Sequence, residues 1–414
     1  MQIAKCVIGN GRMSETGLYS HHFPELRHHS FSFFISRFSF ILTRSMRPDQ
    51  LAKPGLLTQP VYEPGRPIAD VAREHGLDPD SVIKLASNEN PLGPSPLAVA
   101  AARRALDDAH LYPDGAAIAL RAKIGTHLNL DPAQIFPGNG SNEVMQVLAE
   151  AFVSPGDEVV MGRHAFIVFK YLTQFNGGEA VEVEMPGFGH DLGKMREAVT
   201  SRTKIVYLPT PNNPTGTAND AVDVVAFAQD LPQHVILCVD EAYAEFLDPD
   251  EAPDLRPLIA AGRNILCCRT FSKIFGLAGL RVGYGYGPKP LIDLLHRVRQ
   301  PFNVNAIAQA AATAALDDRE HLERTRDIND AGLKQVSAGL VKLGLNQVPS
   351  AANFIMFRVA KARDIFLALQ AKGVIVRPLA PYDLPDHLRV TIGTTEQNAR
   401  FLDALAGALG KKLS

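Results

Sequence analysis

The 414-residue sequence predicts an α/β protein, with a large domain built on a mostly parallel sheet between helices and a smaller α+β domain after it. Three observations predict it. Between residues 116 and 268, short apolar runs alternate with amphipathic stretches, the pattern of successive βα units. The strand-like runs are almost continuously apolar, as in Val235-Ile-Leu-Cys-Val239, so both faces of the sheet are covered. From Pro288 the pattern turns helical and then yields a few isolated strands, which sets the last part of the chain apart.

Residues 1–45 differ from the rest. His21, His22, His28 and His29 precede the apolar run Phe31–Leu42, which is too short to cross a bilayer and carries Arg37. The run starts too far from Met1, without a small-residue cleavage site, to read as a signal peptide. Few acids and several Arg and Ser residues give a faint likeness to a transit peptide. The reading adopted is a disordered or non-native extension, with the working protein beginning at Met46.

An N-terminal arm follows. Pro48 to Pro67 is proline-rich, and Val61-Tyr-Glu-Pro-Gly-Arg-Pro67 must be extended. Ile68–His75 reads as a short helix closed by Gly76, and Val82–Ala86 as a strand ending in Ser87-Asn-Glu-Asn-Pro-Leu-Gly-Pro94. An alanine-rich helix is expected over Pro96–Ala109, with a turn at Tyr112-Pro-Asp-Gly115. The alternation then places helices over 116–128, 142–152, 167–176, 192–200 and 221–231. Strands fall over 135–136, 158–161, 180–184, 204–208, 235–239 and 265–268. Later helices are expected over 289–298 and 307–343, and strands over 354–357, 375–377 and 387–392.

Composition narrows the function classes. A hydrophobic share of 46%, a charged share of 21% and a net charge of −2 suit a soluble globular protein without a nucleic-acid or anionic-membrane partner. Four cysteines form no CxxC pair and no zinc-like Cys/His spacing, so no metal is expected. Cys238, Cys267 and Cys268 sit inside apolar runs as small hydrophobes, which points to a reducing, cytoplasmic compartment.

Several polar residues fall at the carboxyl ends of predicted strands, where parallel sheets bind ligands. Thr270-Phe-Ser-Lys273 leaves the strand 265–268, with Arg281 eight residues beyond the lysine. A lysine leaving a buried strand suits Schiff-base chemistry, and its hydroxyl neighbours suit a phosphate; a plain surface lysine is the alternative. Asp240 closes the strand before it, either capping the next turn or pairing with a protonated pyridine nitrogen, and Tyr243 follows three residues on. Gly138-Asn-Gly-Ser141 opens a helix whose N-terminus suits phosphate or is simply capped. Asn213, held in Pro211-Asn-Asn-Pro-Thr-Gly216, is either a turn residue or a donor to a ligand, and Phe166 either core or a ring-stacking aromatic.

Taken in order, Lys84-Leu-Ala-Ser-Asn-Glu-Asn-Pro-Leu-Gly93, Tyr112-Pro-Asp114, Gly138-Asn-Gly-Ser-Asn-Glu143, Pro211-Asn-Asn-Pro-Thr-Gly216, Val239-Asp-Glu-Ala-Tyr243, Thr270-Phe-Ser-Lys273 with Gly276-Leu-Ala-Gly-Leu-Arg281, and Leu388-Arg-Val-Thr-Ile-Gly393 resemble the pyridoxal-phosphate aminotransferases of fold type I. The likeness runs from about Tyr62 to the C-terminus and is greatest to the histidinol-phosphate aminotransferase family. It implies a seven-stranded sheet in a large cofactor domain over 96–305, and a small domain over 306–414 to which the arm 46–95 contributes.

The resemblance also implies roles. Lys273 would hold pyridoxal 5'-phosphate covalently and move the substrate proton, and Asp240 would pair with the pyridine nitrogen. Asn213 and Tyr243 would hold the ring oxygen, and Phe166 would stack on the ring. Ser141, Asn142, Thr270, Ser272 and Arg281 would bind the phosphate; the family often carries Asp where this chain has Asn142. Tyr112 would reach the neighbouring subunit's cofactor in a homodimer. Arg389 would hold the substrate anion, with Tyr62, Asn90 and Arg377 beside it. The implied reaction interconverts L-histidinol phosphate plus 2-oxoglutarate and imidazole-acetol phosphate plus L-glutamate, in histidine biosynthesis. Aromatic amino-acid transamination, a phosphothreonine-type decarboxylase and a non-enzymatic regulator on the same fold are the alternatives.

Overall fold

A computed structural model describes residues 47–53, 55–57, 59–61 and 65–412. The readings made for residues 1–45 and for Tyr62 lie outside them. Arg47–Ala52 belongs to a first unit and carries the short helix Pro48–Leu51. From Lys53 onward the chain forms one compact unit.

Twelve strands are present among the described residues. They are β1 (Ile83–Lys84), β2 (Ile135–Gly138), β3 (Glu158–Gly162), β4 (Glu179–Val183), β5 (Thr203–Pro209), β6 (Ile236–Asp240), β7 (Ile265–Thr270), β8 (Gly283–Tyr286), β9 (Phe354–Arg358), β10 (Val374–Ile375), β11 (Arg377–Pro378) and β12 (His387–Thr391). Seven of them form one sheet in the order β2-β8-β7-β6-β5-β3-β4. All its pairings are parallel except those of β8, which runs antiparallel to both neighbours.

Alternation along the central strands sends side chains to two separate cores, as the two-residue period requires. Val206, Leu208, Leu237, Val239, Ile265 and Cys267 pack with the helices Ile118–Leu128, Ala221–Asp230 and Ala306–Ala315. Ile205, Tyr207, Ile236, Cys238, Leu266 and Cys268 pack on the other face, with the helices Ser141–Phe152 and Lys289–Val298. Cys238, Cys267 and Cys268 are free and buried.

Strand β8 escaped the sequence reading because two of its four residues are glycine and it has no apolar run. The glycines have a steric reason. A Cβ on Gly285 would stand 2.6 Å from Val144, and one on Gly283 would stand 2.6 Å from the backbone nitrogen of Ser141. Their absence lets the helix Ser141–Phe152 lie directly against the sheet.

The remaining strands form an antiparallel sheet, β11-β12-β9, and a two-stranded parallel pair, β1-β10, around a third core that includes Leu85, Phe357, Leu388 and Phe401. Two expectations need correction here. The strand expected over 375–377 is two strands: β10 pairs with β1, and after Val376 the chain changes partner, so β11 pairs with β12. The helix expected over 307–343 is also two, Ala306–Ala315 and Arg319–Lys342. The chain breaks between them because the Asp318 carboxylate accepts the His321 N–H at 3.2 Å, which caps a new helix start.

One feature of this part sets up the site. The segment after β1 is threaded beside β10 and β12: Leu85 donates its N–H to the Ile375 carbonyl at 2.7 Å, and its own carbonyl accepts from the Thr391 N–H at 2.9 Å. Ser87 and Asn88 are thereby carried to the carboxyl ends of the large sheet.

Candidate active site

The carboxyl ends of β6 and β7 and the N-terminus of the helix Ser141–Phe152 face β11 and β12 across a cavity of about 270 Å3. Asp240 is the last residue of β6, Thr270 the last of β7, and Ser141 the first of the helix. Arg377 and Arg389 sit opposite each other in register on β11 and β12. Of the sequence-predicted residues, Ser141, Asn142, Phe166, Asn213, Asp240, Tyr243, Thr270, Ser272, Lys273, Arg281, Arg377 and Arg389 line this cavity.

Asp240 is buried, and its Oδ1 accepts the Ala242 N–H at 3.1 Å. Burial pushes its carboxyl up to about 7; the Ala242 N–H and the Lys273 charge oppose the rise, while Glu241 adds to it. The amine of Lys273 donates to the Ser87 carbonyl at 2.9 Å and lies 5.7 Å from the centre of the Tyr243 ring. Burial pulls this ammonium down to about 7, helped by the charges of Arg389 and Arg281 against those of Glu89 and Asp240. A lysine that loses its proton near neutrality is a usable nucleophile and base.

Hydroxyl and guanidinium donors of the kind that could hold a phosphate gather at the helix N-terminus. Arg281 donates from Nη1 to the Ser272 hydroxyl at 3.3 Å and the Ala278 carbonyl at 3.1 Å, and from Nη2 to the Asn139 carbonyl at 3.3 Å. Its backbone is left-handed, with φ at 56°, a conformation that costs a non-glycine residue about 1 kcal/mol and is repaid here by three acceptors. The Thr270 hydroxyl donates to the Ser272 hydroxyl at 2.9 Å and accepts the Ser272 N–H at 3.1 Å. A Cβ on Gly140 would come within 2.7 Å of Arg281 Nη2, so the guanidinium lies directly over the turn.

The opposite wall is tied down by its own bonds. Arg389 donates from Nη2 to the Ala86 carbonyl at 2.7 Å, from Nη1 to the Asn213 side-chain oxygen, and stands 5.1 Å from the centre of the Phe354 ring. Phe166 meets Phe169 edge to face at 5.7 Å.

Two of the sequence candidates are elsewhere. Asn90 donates to the Ile274 carbonyl at 2.7 Å and to Thr325 Oγ1 at 3.1 Å, and does not line the cavity. Tyr112 is 82% exposed and stacks on Phe302 at 4.8 Å, also outside the cavity.

One residue was missed. Asn88 is buried and donates to the Tyr243 hydroxyl at 2.8 Å, while its backbone N–H reaches Thr391 Oγ1 at 2.9 Å and its carbonyl accepts from Asn353 at 3.1 Å. Its signal was present, two residues before Asn90 in the same motif, but nothing in the local sequence shows that this asparagine and not the next one faces Tyr243.

The aminotransferase class I and II family profile matches residues 80–405. Histidinol-phosphate aminotransferase 1 of Thiobacillus denitrificans is 50% identical over 348 residues, covering 84% of this chain and 91% of that protein. The chain belongs to the histidinol-phosphate aminotransferase family. Histidinol-phosphate aminotransferase of Methylobacillus flagellatus is 48% identical over 83% of this chain and 93% of its own. The crystal structure of the family member from Sinorhizobium meliloti, in complex with pyridoxal-5'-phosphate, is 29% identical and matches with a TM-score of 0.80 over 89% of this chain and 99% of that one. Membership makes the protein an aminotransferase of fold type I.

Proposed function

We propose that this chain transfers the amino group of L-histidinol phosphate to 2-oxoglutarate, with pyridoxal 5'-phosphate as cofactor. The observation that carries the proposal is one cavity in which a lysine and an aspartate, both titrating near 7, face two arginines on adjacent strands. The donor set fits the cofactor: two hydroxyls, a guanidinium and a helix N-terminus for its phosphate, a buried acid for its ring nitrogen, and an amine to bind it covalently. When bound, pyridoxal phosphate supplies an electron sink for the charge left at the substrate Cα.

The chain's own residues do the rest. Ser141, Asn142, Thr270, Ser272 and Arg281 would anchor the phosphate, and Phe166 would cover the ring. Asp240 would keep a proton on the ring nitrogen, and Asn213 and Tyr243 would hold the ring oxygen, with Asn88 fixing the Tyr243 hydroxyl. Lys273, whose amine loses its proton near neutrality, would be the base that takes the proton from the substrate Cα. Arg389 and Arg377 would grip the phosphate ester of the donor and a carboxylate of the acceptor in turn, since guanidinium groups bind both oxyanions bidentately. Tyr112, exposed and away from its own cavity, suits a role in the partner subunit's site of a homodimer. Free buried thiols fit a cytoplasmic enzyme.

The test is a half-reaction. Histidinol phosphate added to the cofactor-loaded protein should convert its absorbance within the first turnover, and phenylalanine should do so more slowly. No change with histidinol phosphate overturns the assignment; a faster change with phenylalanine hands it to the aromatic aminotransferases.

A further inference from the structure

Two residues after Arg389, on the same face of β12, Thr391 is buried behind Asn88, a residue that lines the active-site cavity. Thr391 itself does not line it. Its side chain meets Asn88 twice: Oγ1 accepts the Asn88 N–H at 2.9 Å and donates its own hydrogen to Asn88 Oδ1 at 3.1 Å. The other end of that amide, Nδ2, donates to the Tyr243 hydroxyl at 2.8 Å. The Asn88 backbone is left-handed, with φ at 55°, and its carbonyl accepts from Asn353 Nδ2 at 3.1 Å. Asn88 is therefore fixed in place, and what its neighbours must still decide is which end of its amide faces Tyr243.

The Thr391 hydroxyl decides it. A hydroxyl has one hydrogen to give, and an amide carries its acceptor and its donors on opposite sides. With Oδ1 towards Thr391, that hydrogen is bonded and Tyr243 receives a donor. Turned over, the amide would aim Nδ2 at a hydroxyl that already accepts a backbone N–H. The buried Thr391 hydrogen would then lose its acceptor, an arrangement folded proteins avoid. A valine, with the shape and no hydroxyl, would favour neither orientation.

The consequence falls on Tyr243. Its oxygen accepts from Asn88, so its one hydrogen is directed elsewhere, and the residue lines the cavity. Burial pushes this phenol up, with the Arg389 charge and the Asn88 bond opposing, so the hydrogen stays on near neutral pH.

We propose, on the reading in which Tyr243 holds the ring oxygen of pyridoxal phosphate, that Thr391 is a positioning residue for the cofactor. By fixing the Asn88 amide it makes Tyr243 a donor, and not an acceptor, towards that oxygen. A donor there favours a ring oxygen that has given up its own proton.

Affinity of the full chain for pyridoxal 5'-phosphate and for its 3-deoxy analogue, which lacks the ring oxygen, tests this. Thr391→Val should weaken the first about tenfold and leave the second within about twofold of wild type. Thr391→Ser, which keeps the hydroxyl, should match wild type for both. In a Tyr243→Phe background, Thr391→Val should change neither. Equal losses for the two ligands would give Thr391 a packing role only and overturn the proposal. Unchanged affinity for both, or a Thr391→Ser that behaves like Thr391→Val, also overturns it. Wild type that binds the two ligands equally overturns the reading of Tyr243 instead, and the role of Thr391 falls with it. Should Thr391→Val not fold, Thr391→Ala makes the same comparison.

Discussion

The two walls of the active-site cavity are built on different plans. The floor is made of residues at strand ends and a helix start of the large sheet: Asp240, Thr270, Ser272, Lys273, Arg281 and Ser141. It holds its polar groups through short-range bonds, as between Thr270, Ser272 and Arg281. The facing wall carries two arginines on β11 and β12, and one of them, Arg389, is held by contacts across hundreds of residues of sequence, to Asn213 and Ala86. A floor of redundant local donors suits a resident group. A wall with few, strong donors suits an anion that must come and go.

That contrast can be broken by substitution. Arg389→Ala should lower kcat/KM in both half-reactions by about 30-fold or more, from the 2–5 kcal/mol typical of removing one partner of a buried charge pair. Cofactor affinity should change little, and Arg389→Lys should recover only part of the loss, because an ammonium lacks the fork. Arg281→Ala should do the reverse. Cofactor should dissociate about 10- to 100-fold more readily, from loss of charge-assisted hydrogen bonds, while KM for either substrate at saturating cofactor stays near wild type. Equal effects of both variants on both quantities would erase the distinction.

The smallest effect concerns stability. Asp240 titrates at about 7 when folded, above its ordinary value of 3.8, so the folded chain keeps that proton to higher pH than the unfolded chain. Its contribution is therefore most favourable below pH 4, declines between about 4 and 7, and stays lost above 7. Cofactor-free Asp240→Asn should melt a few degrees above cofactor-free wild type at pH 8, with the difference vanishing towards pH 4. A difference independent of pH would mean that Asp240 ionises normally and that the floor stores no such cost.

Much of the floor was legible in the sequence, because its residues lie in compact motifs directly after apolar strands. Lys273 and Asp240 could be placed at strand ends from the runs 265–268 and 235–239 alone. The facing wall was harder. Arg377 and Arg389 become neighbours only through the change of partner at Val376, which a periodicity of two cannot reveal. Strand β8 was invisible for a related reason, since its identity rests on what its glycines allow to approach and not on what they bury. Asn88 and Asn90 are chemically alike and two residues apart, and only the threading of β1 beside β10 and β12 decides which meets Tyr243.

Gly283 carries a consequence for how this protein tolerates change. Its missing Cβ is the gap that separates β8 from the Ser141 nitrogen, so the spacing of the turn that opens this helix is set by a residue that does not line the cavity. Alanine there, the most conservative replacement chemistry offers, would push against backbone on both sides, since the Arg269 carbonyl also lies 2.7 Å from the would-be Cβ. The first residue of β8, unremarkable in the sequence, thus acts as the spacer that sets how closely the helix start at the cavity can lie against the sheet.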